Sequence, residues 1–191
     1  MDKRTISCAG ESNAYEFRIV AYNTTMEKEI ALMLHNVRSM HNVGSIFRTA
    51  DAAGVKKIYL TGVTPTPLDR FGKIRTQFGK VSLGAENTVA WDASARSTRE
   101  VKKLFERLKA DRYKIFAVEQ SKKSIPYHSL KPQTHHLTPI VLVLGNEVAG
   151  LPRSILKHAD AILEIPMLGD KESLNVAVTA GIVLFRMRYE S

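Results

Sequence analysis

Ile30-Ala31-Leu32-Met33-Leu34, then Asn42-Val43-Gly44-Ser45-Ile46-Phe47-Arg48-Thr49-Ala50-Asp51-Ala52-Ala53-Gly54, then Lys57-Ile58-Tyr59-Leu60-Thr61-Gly62-Val63: these three runs decide the fold class. The first is an unbroken apolar run and reads as a buried strand. In the second, Val43, Ile46, Phe47 and Ala50 stand at i, i+3, i+4 and i+7, one face of a helix. Asn42 stands where an N-cap belongs and Gly54 where a helix stops. The third is another strand, closed by Thr64-Pro65-Thr66-Pro67. The order is strand, helix, strand.

Outward from this unit the alternation continues. Residues 68–80 carry Arg70, Lys73, Arg75 and Lys80 with Phe71 and Phe78 between them, and read as a loop of mixed basic and aromatic residues. Residues 88–91 read as a short strand. Ser97 and Glu100 have capping-box spacing before Val101, Leu104, Phe105 and Leu108, the apolar face of a second helix. Residues 113–118 and 140–144 are apolar strands, and the stretch between them, with Pro126, Pro132 and Pro139, reads as loop. A short helix over 151–158, a strand over 161–165 and a last helix over 173–189 follow. In that last helix Leu174, Ala177, Val178, Gly181 and Phe185 read as the main apolar face, with Ser173 as cap. Alternating elements of this kind predict an α/β domain with a mainly parallel sheet flanked by helices. Residues 1–27 show weak periodicity and read as a short N-terminal extension, leaving 28–191 as the domain.

The chain has 191 residues and a formal charge of +9. That length suits one domain. The positive balance makes a polyanion a candidate partner, with solubility as the plain alternative. Cys8 is the single cysteine, so a disulfide within the chain is excluded and a reducing compartment fits. No signal peptide is recognised and no apolar run nears the roughly 18–20 residues that span a bilayer, so a cytoplasmic location is expected. His135 and His136 are adjacent, with no zinc-type partner spacing, and no metal is expected.

Three segments lie at strand ends, where open α/β sheets bind ligands. The start of the 43–53 helix can hold an anion, and Arg48 lies off its apolar face; a capped helix with a surface arginine explains the same pattern. Leu144-Gly145-Asn146-Glu147-Val148-Ala149-Gly150-Leu151 follows a strand, and its two glycines fit neither a dinucleotide fingerprint nor a P-loop. A tight turn explains it equally. Ile165-Pro166-Met167-Leu168-Gly169-Asp170-Lys171-Glu172-Ser173-Leu174-Asn175 is a partly apolar loop that could receive a purine-like ring.

In this order, however, the three segments resemble the three motifs of the SpoU (TrmH-like) family in the SPOUT superfamily of RNA methyltransferases. Asn42, Gly44 and Arg48-Thr49-Ala50 match the first motif, Gly145-Asn146-Glu147 with Gly150-Leu151 the second, and Ile165-Pro166-Met167 with Ser173-Leu174-Asn175-Val176 the third. The resemblance implies an α/β domain with a C-terminal trefoil knot, a homodimer, S-adenosylmethionine as cofactor, and methylation of a ribose 2′-hydroxyl of tRNA or rRNA. It implies that Leu144, Gly145, Ile165, Pro166, Met167, Ser173 and Leu174 line the cofactor pocket, joined by Glu119 at a strand end. Arg48 matches the catalytic arginine, supplied by one subunit to the other's site. Asn42, Glu147, Ser173 and Asn175 match its polar companions. Two positions depart from the commonest pattern. Val148 stands where glycine is usual, which would be strained if that position needs a positive φ, and Ala177 stands where serine is frequent.

A guanidinium has a pKa above about 12 and is a poor base. Arg48 is therefore expected to bind the target phosphate and stabilise the developing alkoxide. Arg70, Lys73, Arg75 and Lys80, with basic residues of 96–109, are expected to hold the RNA backbone, which positions a substrate without reading its sequence. With so short an extension, RNA recognition is expected to fall to the domain and its dimer. Two rival readings remain: a base-methylating enzyme of the same superfamily, and an RNA-binding protein that keeps the fold without catalysis.

Overall fold

The computed structural model describes residues 28–130 and 138–189. The N-terminal extension with Cys8, and Pro132, His135 and His136, lie outside the described residues. The elements run β1 (Ile30–His35), α1 (Met40–Ala52), β2 (Lys57–Thr61), α2 (Thr76–Ser82), α3 (Ala85–Thr88), β3 (Ala90–Asp92), α4 (Thr98–Ala110), β4 (Lys114–Val118), β5 (Ile125–Pro126), a 3₁₀ turn (Tyr127–Ser129), β6 (Ile140–Leu144), α5 (Arg153–Leu156), β7 (Ala161–Glu164) and α6 (Val176–Tyr189). The strands form one seven-stranded sheet in the order β3-β2-β1-β6-β4-β7-β5. Every pairing is parallel.

Parallel strands need crossovers, and the crossovers bury both faces of the sheet. This is why β1 is apolar without alternation. Ile30, Leu32 and Leu34 pack with α1 and α6, while Ala31 and Met33 pack with α4 and α5. Val43, Ile46, Phe47 and Ala50 of α1 are all buried, as their spacing predicts. The capping box of α4 is complete: Ser97 and Glu100 each bond the other's backbone N–H.

Several local expectations are corrected. Helix α1 starts earlier than read, because Ser39 is its cap and accepts from the Asn42 N–H. Asn42 thus sits inside the first turn with its amide free for other work. Residues 68–80 are not all loop: α2 takes up their end, anchored by fully buried Phe78 edge-on against Phe47 at 5.1 Å. Thr88 ends a short helix and the strand begins at Ala90. The proline-bearing stretch before β6 contains a two-residue edge strand. Ser173 does not cap α6. Asn175 does, its Oδ1 accepting from the Ala177 N–H at 2.8 Å and its carbonyl from Thr179 N–H.

The face of α6 is also reversed. Val176, Ala180, Val183, Leu184 and Met187 are buried, whereas Val178 and Phe185, read as core-facing, are exposed. The helix is apolar around most of its circumference, so periodicity selects no face, and packing against α1 does. Arg188 locks the far end of α6 by donating to the carbonyls of Lys28, Ala53 and Gly54. No described helix is long and apolar enough to cross a membrane.

Candidate functional site

The carboxyl ends of β4, β6 and β7 open onto a cavity of about 230 Å³. Glu119, Leu144, Gly145, Ile165, Met167, Ser173 and Leu174, all expected around a cofactor, line it. Pro166 does not. It faces an adjoining cleft with Gly169 and Lys171. Glu147 and Asn175 lie on the cavity wall.

The wall is built by the turn after β6. Asn146 and Gly150 close it with two backbone hydrogen bonds, and the Asn146 Oδ1 accepts from Val148 and Ala149 N–H. Its Nδ2 donates to the Asn36 carbonyl at 2.9 Å, which ties the turn to the end of β1. Gly150 has φ +62°, and a Cβ there would stand 2.3 Å from the Glu119 carboxylate. A Cβ on Gly145 would fall 2.6 Å from the Gly150 carbonyl carbon. Val148 is not in the left-handed region, and 96% of its surface is exposed. The positive φ falls on Gly150 instead, so valine costs no backbone strain here.

One hydrogen-bonded relay joins the three motif segments. The Ala177 N–H fixes the Asn175 amide with its oxygen inward. Asn175 Nδ2 then donates to Asn42 Oδ1 at 3.1 Å. Asn42 Nδ2 donates to Glu147 Oε1 at 3.0 Å. The backbone N–H groups of Ser39 and Arg38 reach the same carboxylate at 3.0 and 3.1 Å. Each amide has one orientation that satisfies this chain, and its end must be an acceptor. Partial burial alone would raise the Glu147 carboxyl. The hydrogen bonds from Arg38, Asn42, its own N–H and Ser39 outweigh it and hold the group below its ordinary range. Glu147 therefore stays ionised and clamps the start of α1 to the cavity wall.

Glu119 is engaged on both oxygens, by the N–H of Gln120 at 3.0 Å and of Leu151 at 2.6 Å. Gln120 also donates to the Glu172 carbonyl at 2.6 Å, holding the 165–175 loop against the cavity. Sequence reading quoted Asn146 in the second motif without giving it a role, named Gln120 only as a strand end beside Glu119, and missed Glu164 and Thr179 around the cavity and Ser39 at its edge. Of these last three, Ser39 had a signal, as a capping residue placed before an apolar helical stripe.

Arg48 is not among the cavity residues. It is exposed on α1, beside Thr49, whose methyl lies 3.7 Å from where a Cβ on Gly181 of α6 would stand. Arg70 and Lys73 are exposed in a tight loop held by Asp69, which accepts from Phe71 and Lys73 N–H. The Arg70 guanidinium lies 4.7 Å from the Phe71 ring, which is 71% exposed. Arg75 is partly buried and donates to the Leu68 carbonyl, and Lys80 is exposed on α2. Phe78, read with this basic group, belongs to the core. Arg96 is also occupied, bonding the carbonyls of Gly62, Thr64 and Ala93.

The model of the SpoU rRNA methylase family matches residues 29–185. A 23S rRNA (guanosine-2′-O-)-methyltransferase of Neisseria meningitidis is 32% identical over 164 residues, 85% of this chain and 59% of the relative. A tRNA (guanosine(18)-2′-O)-methyltransferase of Aquifex aeolicus is 31% identical, over 83% of this chain and 68% of the relative. The chain thus spans less than two thirds of the length of the ribosomal relative. Among solved structures, the AdoMet-bound rRNA methyltransferase of Sinorhizobium meliloti superposes with a TM-score of 0.73 at 31% identity, covering 85% of this chain and 56% of that one. With the second and third motif segments lining one cavity, the first hydrogen-bonded to both through Asn42, and the match running through nearly every described element, the chain belongs to the SpoU rRNA methylase family.

Proposed function

We propose that this chain is an S-adenosylmethionine-dependent methyltransferase acting on a ribose 2′-hydroxyl of RNA. The observation that carries the reading is the relay from Ala177 through Asn175 and Asn42 to Glu147, because it ties the first motif segment to the two that line the cavity. The relatives' names support both the 2′-hydroxyl and the substrate class, ribosomal or transfer RNA, and both name guanosine.

The cavity fits the cofactor. Leu144, Ile165, Met167 and Leu174 offer apolar surface. The backbone N–H groups of residues 167–174 bond no other group among the described residues and remain open to a purine edge. When bound, S-adenosylmethionine supplies an electrophilic methyl group on a sulfonium. Gly145 lets the turn after β6 close against Gly150 and so shapes the cavity wall. Glu119 retains lone pairs for ribose hydroxyls. Asn175 and Ser173, on the cavity wall, orient the target ribose, and Asn42, buried with both amide atoms engaged, positions Asn175. Holding the nucleophile in line can supply roughly 7–11 kcal/mol of the barrier.

Arg48 reaches the site from the other protomer of a homodimer. It stands on α1 near α6, whose Val178, Ile182, Phe185 and Tyr189 form an apolar stripe at i, i+4, i+7 and i+11, with Val178, Phe185 and Tyr189 exposed and Ile182 partly so. An exposed stripe of this kind marks an interface. Across it, the Arg48 guanidinium binds the target phosphate and stabilises the alkoxide as the proton leaves to a phosphate oxygen or water. The exposed cations Arg70, Lys73 and Lys80, with Arg75, hold the RNA backbone. The C-terminal part of the chain forms a trefoil knot, a reading that follows from membership of the family. Residues 28–191 form the methyltransferase domain, in a cytoplasmic setting consistent with a single cysteine.

Calorimetric titration with S-adenosylmethionine and its demethylated product, followed by transfer of labelled methyl to rRNA and tRNA, tests this. One cofactor bound per chain and alkali-resistant label in ribose are expected. Binding without transfer would favour a non-catalytic RNA-binding protein, and label in a base would replace ribose chemistry.

A further inference from the structure

A second cavity, of about 540 Å³, lies between α4 and α5, on the other side of the sheet from α1 and α6. Its floor is apolar, made of buried Val101, Phe105 and Ile155. The His158 ring stacks on Phe105, with centroids 4.7 Å apart and planes 11° from parallel. Its rim is cationic: Arg99, Lys102 and Lys157 are exposed around it. Among the described residues, no carboxylate pairs with Arg99 or Lys157, and Lys102 meets only the well-exposed Glu106 at 3.8 Å. The hydroxyl residues Thr98 and Ser154 complete the rim.

The cavity opens onto His35 and Asn36 at the carboxyl end of β1. The Asn36 carbonyl is the group that receives Asn146 Nδ2 from the wall of the first cavity. The two cavities therefore back onto one another across the end of a single strand. The partly exposed His158 ring, backed by buried Phe105 and set under a cationic rim, matches a nucleotide, with the base on the ring and the phosphate above. Arginine and lysine with no carboxylate to satisfy them are the groups that release counterions on meeting a phosphodiester.

We propose that this groove binds a nucleotide of the RNA strand near the one being methylated, its phosphate held by Arg99, Lys102 and Lys157. The inference rests on the proposed action on RNA. It adds a binding surface opposite the Arg70–Lys80 region, so the strand is gripped on both sides of the site.

The test uses Arg99→Glu/Lys102→Glu/Lys157→Glu against the unaltered protein, with bulk tRNA and rRNA fragments as probes, over a range of salt. Loss of about 10-fold or more in RNA affinity is expected, with the slope of log affinity against log salt reduced by about 2, and with cofactor binding and melting temperature unchanged. Equal RNA binding by both proteins would overturn this site and leave the proposed function standing. No RNA binding by the unaltered protein would overturn both. A second measurement does not depend on charge reversal. Ser154→Cys and, as control, Asn87→Cys, each with Cys8→Ser, carry a photo-crosslinker. Crosslinking of RNA from position 154 and not from 87 is expected. Equal crosslinking from both positions, or protection by guanosine monophosphate without any by RNA, would overturn a site for strand RNA.

Discussion

Replacing Glu147 with glutamine keeps its shape and removes its charge. The carboxylate accepts from Asn42 Nδ2 and Ser39 N–H on one oxygen and from Arg38 N–H on the other. Glutamine must turn an NH2 toward one of these donors, so at least one N–H loses its acceptor and the others lose charge assistance. A hydrogen bond to a charged group contributes about 1.5–3 kcal/mol. Glu147 is solvent-exposed, so screening takes the sum to its lower end, about 2 kcal/mol. For a domain of this size that is about 4–8 °C in melting temperature at pH 7. The pH dependence carries the sharper test. The folded-state pKa lies below the ordinary 4.5, so the contribution is complete above that value and is lost as pH falls through the lower folded value. Melting curves from pH 7 to pH 3.5 should show the gap between Glu147→Gln and the unaltered protein narrowing only below about 4.5. No gap at pH 7, or a gap that stays constant to pH 3.5, would refute the clamp.

Arg48→Ala should cost under about 1 kcal/mol of stability, since the side chain is exposed, and leave cofactor affinity intact. It should slow single-turnover methyl transfer by on the order of 10²–10³, with Arg48→Lys rescuing only in part. Mixed with Asn175→Ala, it should regain activity in heterodimers if the site is shared, and mixtures as inactive as either parent would place Arg48 within its own subunit's site. Val178→Glu/Phe185→Glu should convert a sedimenting dimer to monomer with little change in melting temperature, because both residues are exposed in the single chain. Replacing Arg70, Lys73, Arg75 and Lys80 by alanine should lower RNA affinity and flatten its salt dependence, and unchanged binding would move the RNA elsewhere.

The sequence by itself determined the layered α/β architecture. Strands such as 140–144 are apolar on both faces because parallel sheets are covered on both, and α1 and α4 show one apolar stripe because one side meets water. It also determined the family, since the resemblance rests on residue order and the family model matches residues 29–185. What only the tertiary structure decided depends on partners far apart in the chain. Asn42 reads locally as a cap, and its amide is reassigned by Glu147 and Asn175, more than 100 positions away. Helix α2 hangs on one buried ring, Phe78, whose pocket Phe47 provides. Arg96 resembles a free cation until three loop carbonyls surround it. Helix α6 is apolar nearly all round, so its own sequence leaves its rotation degenerate by burial energy. Contact with α1 and the sheet breaks that degeneracy, and so decides which side of the helix is left exposed.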